Sequence, residues 1–221
     1  MTIKIKELGY DIGRHTVQRL MRQENLYGLP LYRKKYRKPT IAHEDLVRRD
    51  FTAEHPNQLW CCDITQKWTK KGWLYLAVVL DLYSRKIVGW ATDNNMKKHL
   101  PLRALNQAVT LRGNPQGVIH HSDRGSQYTS EQYLLRLETA NLRPSFGSAG
   151  SCLDNAVVES FFSILKRECL HRRAWATREQ LREEINNFIS TFYNPVRIRS
   201  NGKSPIQSEQ EYIHNSAQKC A

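Results

Sequence analysis

Residues 59–91 read LWCCDITQKWTKKGWLYLAVVLDLYSRKIVGWA. Three strand-like runs lie in this stretch: LWCCDIT following Gln58, WLYLAVVL at 73–80, and 87–91. The middle run is apolar on both alternating faces, as a strand covered by helices on both sides must be. A polar turn of six residues, 81–86, joins it to the third run, so that pair is antiparallel. The first run carries an anomaly. Asp63 stands inside it, and an ionised carboxylate taken out of water costs several kcal/mol unless a cation answers it.

Downstream, the pattern changes from period 2 to period 3.6. Residues 100–111 space Leu102, Leu105, Ala108 and Val109 as a helix does, with Gly113, Asn114 and Pro115 behind them as a stop. A short strand is expected at 118–121. A helix at 131–140 follows, with Thr129 and Gln132 spaced as a capping box. A fifth strand is expected at 142–145, and further helices at 150–168 and 181–193. Strand, strand, strand, helix, strand, helix, strand, helix is the order of an α/β fold with a mixed five-stranded sheet flanked by helices.

Upstream, 10–28 contains an amphipathic helix with Val17, Leu20 and Met21 on one side and Arg14, Arg19 and Arg22 on the other. Residues 3–8 can form two turns before it, with 9–13 as a tight connection. The pair reads either as the later half of a helix-turn-helix or as a basic surface helix. The organisation is therefore a partial helix-turn-helix-like segment at 1–28, a basic arm at 29–55, a catalytic core at 56–193 and a tail at 194–221.

With 34 Lys and Arg against 21 Asp and Glu, the net charge is +13. A polyanionic partner is implied because the cations cluster. Residues 32–38, YRKKYRK, hold Arg33, Lys34, Lys35, Arg37 and Lys38 with Tyr32 and Tyr36 between them, a composition suited to phosphates and stacked bases. A second group, Lys166, Arg167, Arg172, Arg173 and Arg178, follows Glu159. The five cysteines form no CxxC and no regular framework, which argues against a structural zinc site and for reduced thiols. No apolar run approaches the length of a membrane span, so a cytoplasmic, nucleoid-associated protein is expected.

Two further acids accompany Asp63. Asp123 stands just past the run GVIHHS, where open α/β sheets place functional groups. Glu159 is a single buried-looking acid in 150–168, GSCLDNAVVESFFSILKRE. On that helix Val157, Phe161, Ile164 and Leu165 face a core, while Asn155, Glu159, Ser163 and Lys166 share the opposite side. Thirty-five residues lie between Asp123 and Glu159. Three carboxylates suit divalent cations that prefer hard oxygen ligands, Mg2+ or Mn2+. Two such ions about 3.5–4 Å apart serve hydrolysis and transfer at a phosphodiester.

The motifs Asp63-Ile64-Thr65, His121-Ser122-Asp123-Arg124-Gly125-Ser126-Gln127-Tyr128-Thr129-Ser130, and Asp154-Asn155-Ala156 with Glu159-Ser160-Phe161-Phe162 and Leu165-Lys166 resemble the transposases of two-reading-frame insertion sequences. The catalytic part of that family is similar to retroviral integrases and has a ribonuclease H-like fold. The resemblance runs from about residue 13 to 193. It implies that Asp63, Asp123 and Glu159 form a catalytic, metal-binding triad, that Lys166 is the basic residue after the glutamate, and that the reaction is metal-dependent DNA cleavage followed by strand transfer. It also implies a homo-oligomer acting on element ends and target DNA, with the first-frame product of the same element as a further partner. The family has more chain before the point where Met1 stands here, so this product resembles a truncated or separately made part.

Simpler roles compete at several positions. Asp81 at a strand end is read as a hairpin residue bonding backbone or Arg85 rather than as a metal ligand. His120 and His121 are read as packed, hydrogen-bonded side chains, with His121 retained as a supporting residue of the site. Asn155 is either a metal-facing residue or part of a cap. A DNA-binding fragment or regulator without activity is the alternative to an enzyme.

Overall fold

The computed structural model describes residues 2–24, 44–147 and 156–219. They fall into two compact units, 1–38 and 39–221. The first contains α1 (Thr2–Glu7) and α2 (Arg14–Gln23), connected through Gly9 in the left-handed region. In α2, Val17 is buried, while Arg14, Arg19, Arg22 and Leu20 are exposed. The arm cations Arg33, Lys34, Lys35, Arg37 and Lys38, and Asn155, lie outside the described residues.

The second unit is built on one sheet. β1 (Leu59–Thr69), β2 (Gly72–Asp81) and β3 (Ile87–Asp93) form an antiparallel meander, and β4 (Ile119–Ser122) and β5 (Arg143–Phe146) add to β1 in parallel. The spatial order is β3-β2-β1-β4-β5. The mixed five-stranded sheet of the sequence reading is thus the observed one, with β1 at its centre.

Because side chains alternate along a strand, each face has its own core. Leu59, Cys61, Leu74, Leu76, Val78 and Leu80 turn to one side, against α5 (Ala156–Leu165) and α6 (Arg178–Asn187). Trp60, Cys62, Ala77, Val79 and Val88 turn to the other, against α3 (His99–Leu111) and α4 (Glu131–Thr139). Helix α3 rides close on β3 because Gly89 has no side chain. A Cβ there would stand 2.2 Å from the Ala104 carbonyl oxygen.

Three local expectations change. The apolar stripe of α5 is wider than the sequence spacing proposed, since Val158 and Phe162 are buried beside Val157, Phe161 and Leu165. Lys166–Leu170 continues α5 as a π-helical turn, and Phe188–Tyr193 continues α6 in the same way. No capping box forms before α4: Ser130 is its N-cap, and the Thr129 hydroxyl donates to the Gly125 carbonyl instead.

The segment after 193 carries α7 (Pro205–Lys219), opened by a reciprocal pair in which Ser204 N–H donates to Gln207 Oε1 and Gln207 N–H to Ser204 Oγ. Helix α7 brings Glu209 to the end of β2. There Arg112 donates to both Glu209 and Asp81, at 2.7 and 3.2 Å, and Lys86 reaches Glu209 at 2.9 Å. Fully buried Asp81 also accepts from the Asn57 and Ser84 amides. Asp81 therefore has the backbone role expected of it, but its cation is Arg112 and not Arg85, because the turn points Arg85 elsewhere. Among the described residues, no helix is long and apolar enough to cross a membrane.

Arg112→Met leaves two buried carboxylates without their shared cation. Urea unfolding at pH 7 should show a loss of about 3–5 kcal/mol, and adding Glu209→Gln should recover part of it.

Candidate active site

The sheet register brings the first two acids to one level. β1 and β4 pair in parallel, Trp60 with His120 and Cys61 with His121. Carried two residues further, the same register sets Asp123, just beyond β4, beside Asp63. Parity sets the face. Asp63 alternates with Leu59 and Cys61, and Asp123 with Ile119 and His121, so both belong to the side covered by α5. Glu159 is in the first turn of that helix, which packs on β1.

Glu159 is exposed, contrary to the buried look of its neighbours in sequence, because the five apolar residues of α5 take the core and leave it outside. Asp63 is partly buried, and its Oδ1 accepts from Ile64 N at 2.7 Å. Burial raises its carboxyl from the ordinary value to about 6, opposed by the Ile64 hydrogen bond. Asp123 and Glu159 push it further up, and Lys166 pulls it down. These four charged groups therefore share one field.

The carboxyl of Asp123 is held by the loop after β4, where Gly125 N donates to Oδ1 at 2.9 Å. A Cβ on Gly125 would stand 2.9 Å from that same oxygen, so the bare backbone is what permits the approach. Beneath the loop, Tyr128 is buried, and its hydroxyl has no hydrogen-bond partner among the described residues. Burial raises its pKa, and Asp63 and Asp123 add to the effect. The period-based reading singled out neither Gly125 nor Tyr128. Both lie in the motif at 121–130, yet only the folded loop shows what they touch.

The histidines take packing roles. His120 is buried and meets Tyr133 Oη and Cys62 Sγ, each at 2.9 Å, and burial pushes its pKa down to about 3. His121 Nδ1 lies 2.9 Å from Ser145 Oγ, and its ring meets Phe51 edge-on.

The basic group after Glu159 is less uniform than its sequence. Arg167 pairs with Glu168, Arg173 with Glu184, and Arg178 donates to the Trp73 carbonyl. Lys166 and Arg172 have no carboxylate partner among the described residues. Lys166 is partly buried at the first position of the π-turn.

Three carboxylates on hard oxygen donors fit a divalent ion in chemistry. They do not form a closed cage: among the described residues no three of His, Cys, Asp and Glu come close enough to hold a metal together. The arrangement is an electronegative edge with one ammonium beside it, where cationic ligands would gain by lowering the Asp63 pKa.

Comparisons with known proteins identify the family and the fold. Residues 53–152 match the family model described as integrase core domain, and 159–213 match a second of the same description, so Asp63 and Asp123 lie in the first and Glu159 opens the second. The transposase InsF for insertion sequence IS3A of Escherichia coli (strain K12) is 40% identical over 221 residues, covering 96% of this chain and 76% of the relative. The transposase for insertion sequence element IS629 of Shigella sonnei is 37% identical over 209 residues, covering 92% of this chain and 70% of that protein. Among solved structures, the HTLV-2 integrase catalytic core domain in complex with magnesium superposes with a TM-score of 0.56 at 20% identity, covering 72% of this chain and 99% of that one. The simian T-cell lymphotropic virus intasome in complex with the PP2A regulatory subunit B56 gamma gives 0.58 at 17% identity, over 76% of this chain and 63% of that one. These likenesses show the ribonuclease H-like fold.

A carboxyl titrating near pH 6 in the folded state and near its ordinary value when unfolded binds more protons folded, so stability falls as pH rises between about 4 and 6. Asp63→Asn removes that cost and keeps the acceptor for Ile64 N. In chelator at pH 7.5 the variant should melt several degrees higher, for a gain of at most about 3 kcal/mol, and at pH 4 the two proteins should melt together.

Proposed function

The chain belongs to the insertion-sequence transposases built on an integrase core domain, a polynucleotidyl transferase of DNA, and on that premise we propose that Asp63, Asp123 and Glu159 are its catalytic, metal-binding triad. The observation that carries this reading is the shared field, in which the Asp63 carboxyl responds to Asp123, Glu159 and Lys166 together. The three acids would hold divalent ions, Mg2+ or Mn2+, as the charge that draws them together. Bound there, the ions supply Lewis acidity to an attacking and a leaving oxygen at a phosphodiester. The magnesium in the HTLV-2 core supports the choice of metal.

Each residue of the chain has a defined part. Asp63, whose carboxyl burial holds above its ordinary range, would be a ligand that an adjacent cation favours in its ionised form. Gly125 N–H keeps Asp123 Oδ1 in place. Lys166 holds a substrate phosphate beside the acids as a point charge. The reaction is attack of water on a phosphodiester at an element end, releasing a 3′-hydroxyl, followed by attack of that hydroxyl on target DNA. Each step exchanges one P–O bond for another, so no covalent enzyme intermediate is needed.

DNA contact extends to Arg167, to Arg14 and Arg19 on the exposed side of α2, and to the arm cations Arg33, Lys34, Lys35, Arg37 and Lys38. Asn155 and His121 support the site, Asn155 from the chain just before α5 and His121 through Ser145. The working form is a homo-oligomer on paired element ends, with the first-frame product of the same element as an additional partner.

Asp123→Asn and Glu159→Gln should each abolish Mg2+- or Mn2+-dependent nicking of DNA carrying the element ends while melting normally. Nicking at the wild-type rate in either variant overturns the triad. Lys166→Ala should lower the slope of log K against log salt for DNA binding by about 0.9, the contribution of one neutralised phosphate.

A further inference from the structure

On the α5 side of the sheet, a cavity of about 490 Å³ begins one residue from Glu159, at Ser160. Its size falls within the roughly 300–1,000 Å³ of small-ligand sites. Aromatic rings of Phe51, Phe161 and Tyr193 line it, together with three guanidinium groups, Arg85, Arg197 and Arg199, and among the described residues no carboxylate.

The three cations differ. Arg197 is neutralised by Glu168 through bonds of 3.2 and 3.3 Å. Arg85 and Arg199 have no acid among the described residues. Arg199 Nη1 donates to the Ser84 carbonyl, and no side-chain hydrogen bond of Arg85 is found there. Both are partly buried, and they repel each other: burial first lowers the pKa of each guanidinium, and for Arg199 the charge of Arg85 lowers it further. Two desolvated like charges facing one cavity are unfavourable unless an anion joins them.

The backbone adds a second cost in the same place. Arg85 is held at φ 61°, in the left-handed region that a long side chain rarely adopts. Tyr193 Oη donates to its carbonyl at 3.1 Å and fixes that turn. The turn thus holds the Arg85 backbone in one conformation beside the cavity.

We propose that this cavity is a second, non-catalytic phosphate site, in which Arg85 and Arg199 clasp the phosphate of one nucleotide unit over the aromatic wall. Paired planar guanidinium forks match phosphate oxygens, and the rings suit a base or sugar. The phosphate comes either from a strand of bound DNA or from a free nucleotide. The DNA source rests on the transposase reading, whereas the free source does not.

Arg85→Gln tests the site with two probes. Inorganic phosphate, compared with chloride at equal ionic strength, should raise the melting temperature of the full chain by a few degrees, and Arg85→Gln should abolish that difference. A short DNA duplex should bind Arg85→Gln with a salt slope about 0.9 smaller than wild type if the site takes a strand phosphate. Loss of the phosphate effect with an unchanged DNA slope assigns the site to a free phosphate ligand. If neither the phosphate shift nor the slope changes, the proposal is overturned. Should Arg85→Gln fail to fold, Arg199→Gln carries the same two readouts. Asp123→Asn should retain both, so a failed triad and a failed phosphate site give different results.

Discussion

A carboxylate in the central strand of a sheet packed on both faces is the constraint on which this structure depends. β1 contributes side chains to both cores, and an acid in it must be answered or kept at the edge of the burial. Asp63 meets this condition by position. It comes after Leu59 and Cys61 on the α5 face, where the strand runs out from under its helices and the chain after β4 brings a second acid alongside. The acids do not offset one another's cost; they raise it. Asp63 is thus harder to ionise than an exposed acid, and a cation beside it would relieve that cost.

The supports of that edge are apolar and distant from it. Helix α5 is fixed by Val157, Val158, Phe161, Phe162 and Leu165, each side chain worth roughly 1.5–3 kcal/mol when buried, and this anchoring is what leaves Glu159 free on its outer side. At the Asp81 end of β2, charges are matched: Asp81, Glu209, Arg112 and Lys86 form a network that binds α7 to the sheet. Among the described residues, a satisfied ionic cluster at the end of β2 thus stands apart from a group of acids at Asp63, Asp123 and Glu159 and from a basic cavity beside α5.

Much of this was legible in the chain. Period-2 runs gave the three antiparallel strands, period-3.6 runs gave α3, α4 and α6, and the mixed sheet followed from their order. Glu159 stood out as an acid among apolar neighbours, although its apparent burial was an illusion of one-dimensional proximity. Helix α7 fell in what the sequence reading took as a tail, and only the fold shows Ser204 and Gln207 bonding reciprocally at its start. The pairing of Asp81 with Arg112 could not be read, because the two are 31 residues apart and joined only by the packing of α3 against the sheet.

The sequence by itself determined the alternation of strands and helices, the basic balance and the identities of three acids in unusual settings, since these depend on local periodicity and composition. The tertiary structure alone decided that Asp63 and Asp123 share a level and a face, because strand register is a relation between distant segments. It alone decided that Gly125 must be bare beside Asp123, and that Arg85 and Arg199 face one cavity. Each of these is a matter of which charges lie within a few ångströms through a medium of low dielectric, and distance of that kind is created only when the chain folds.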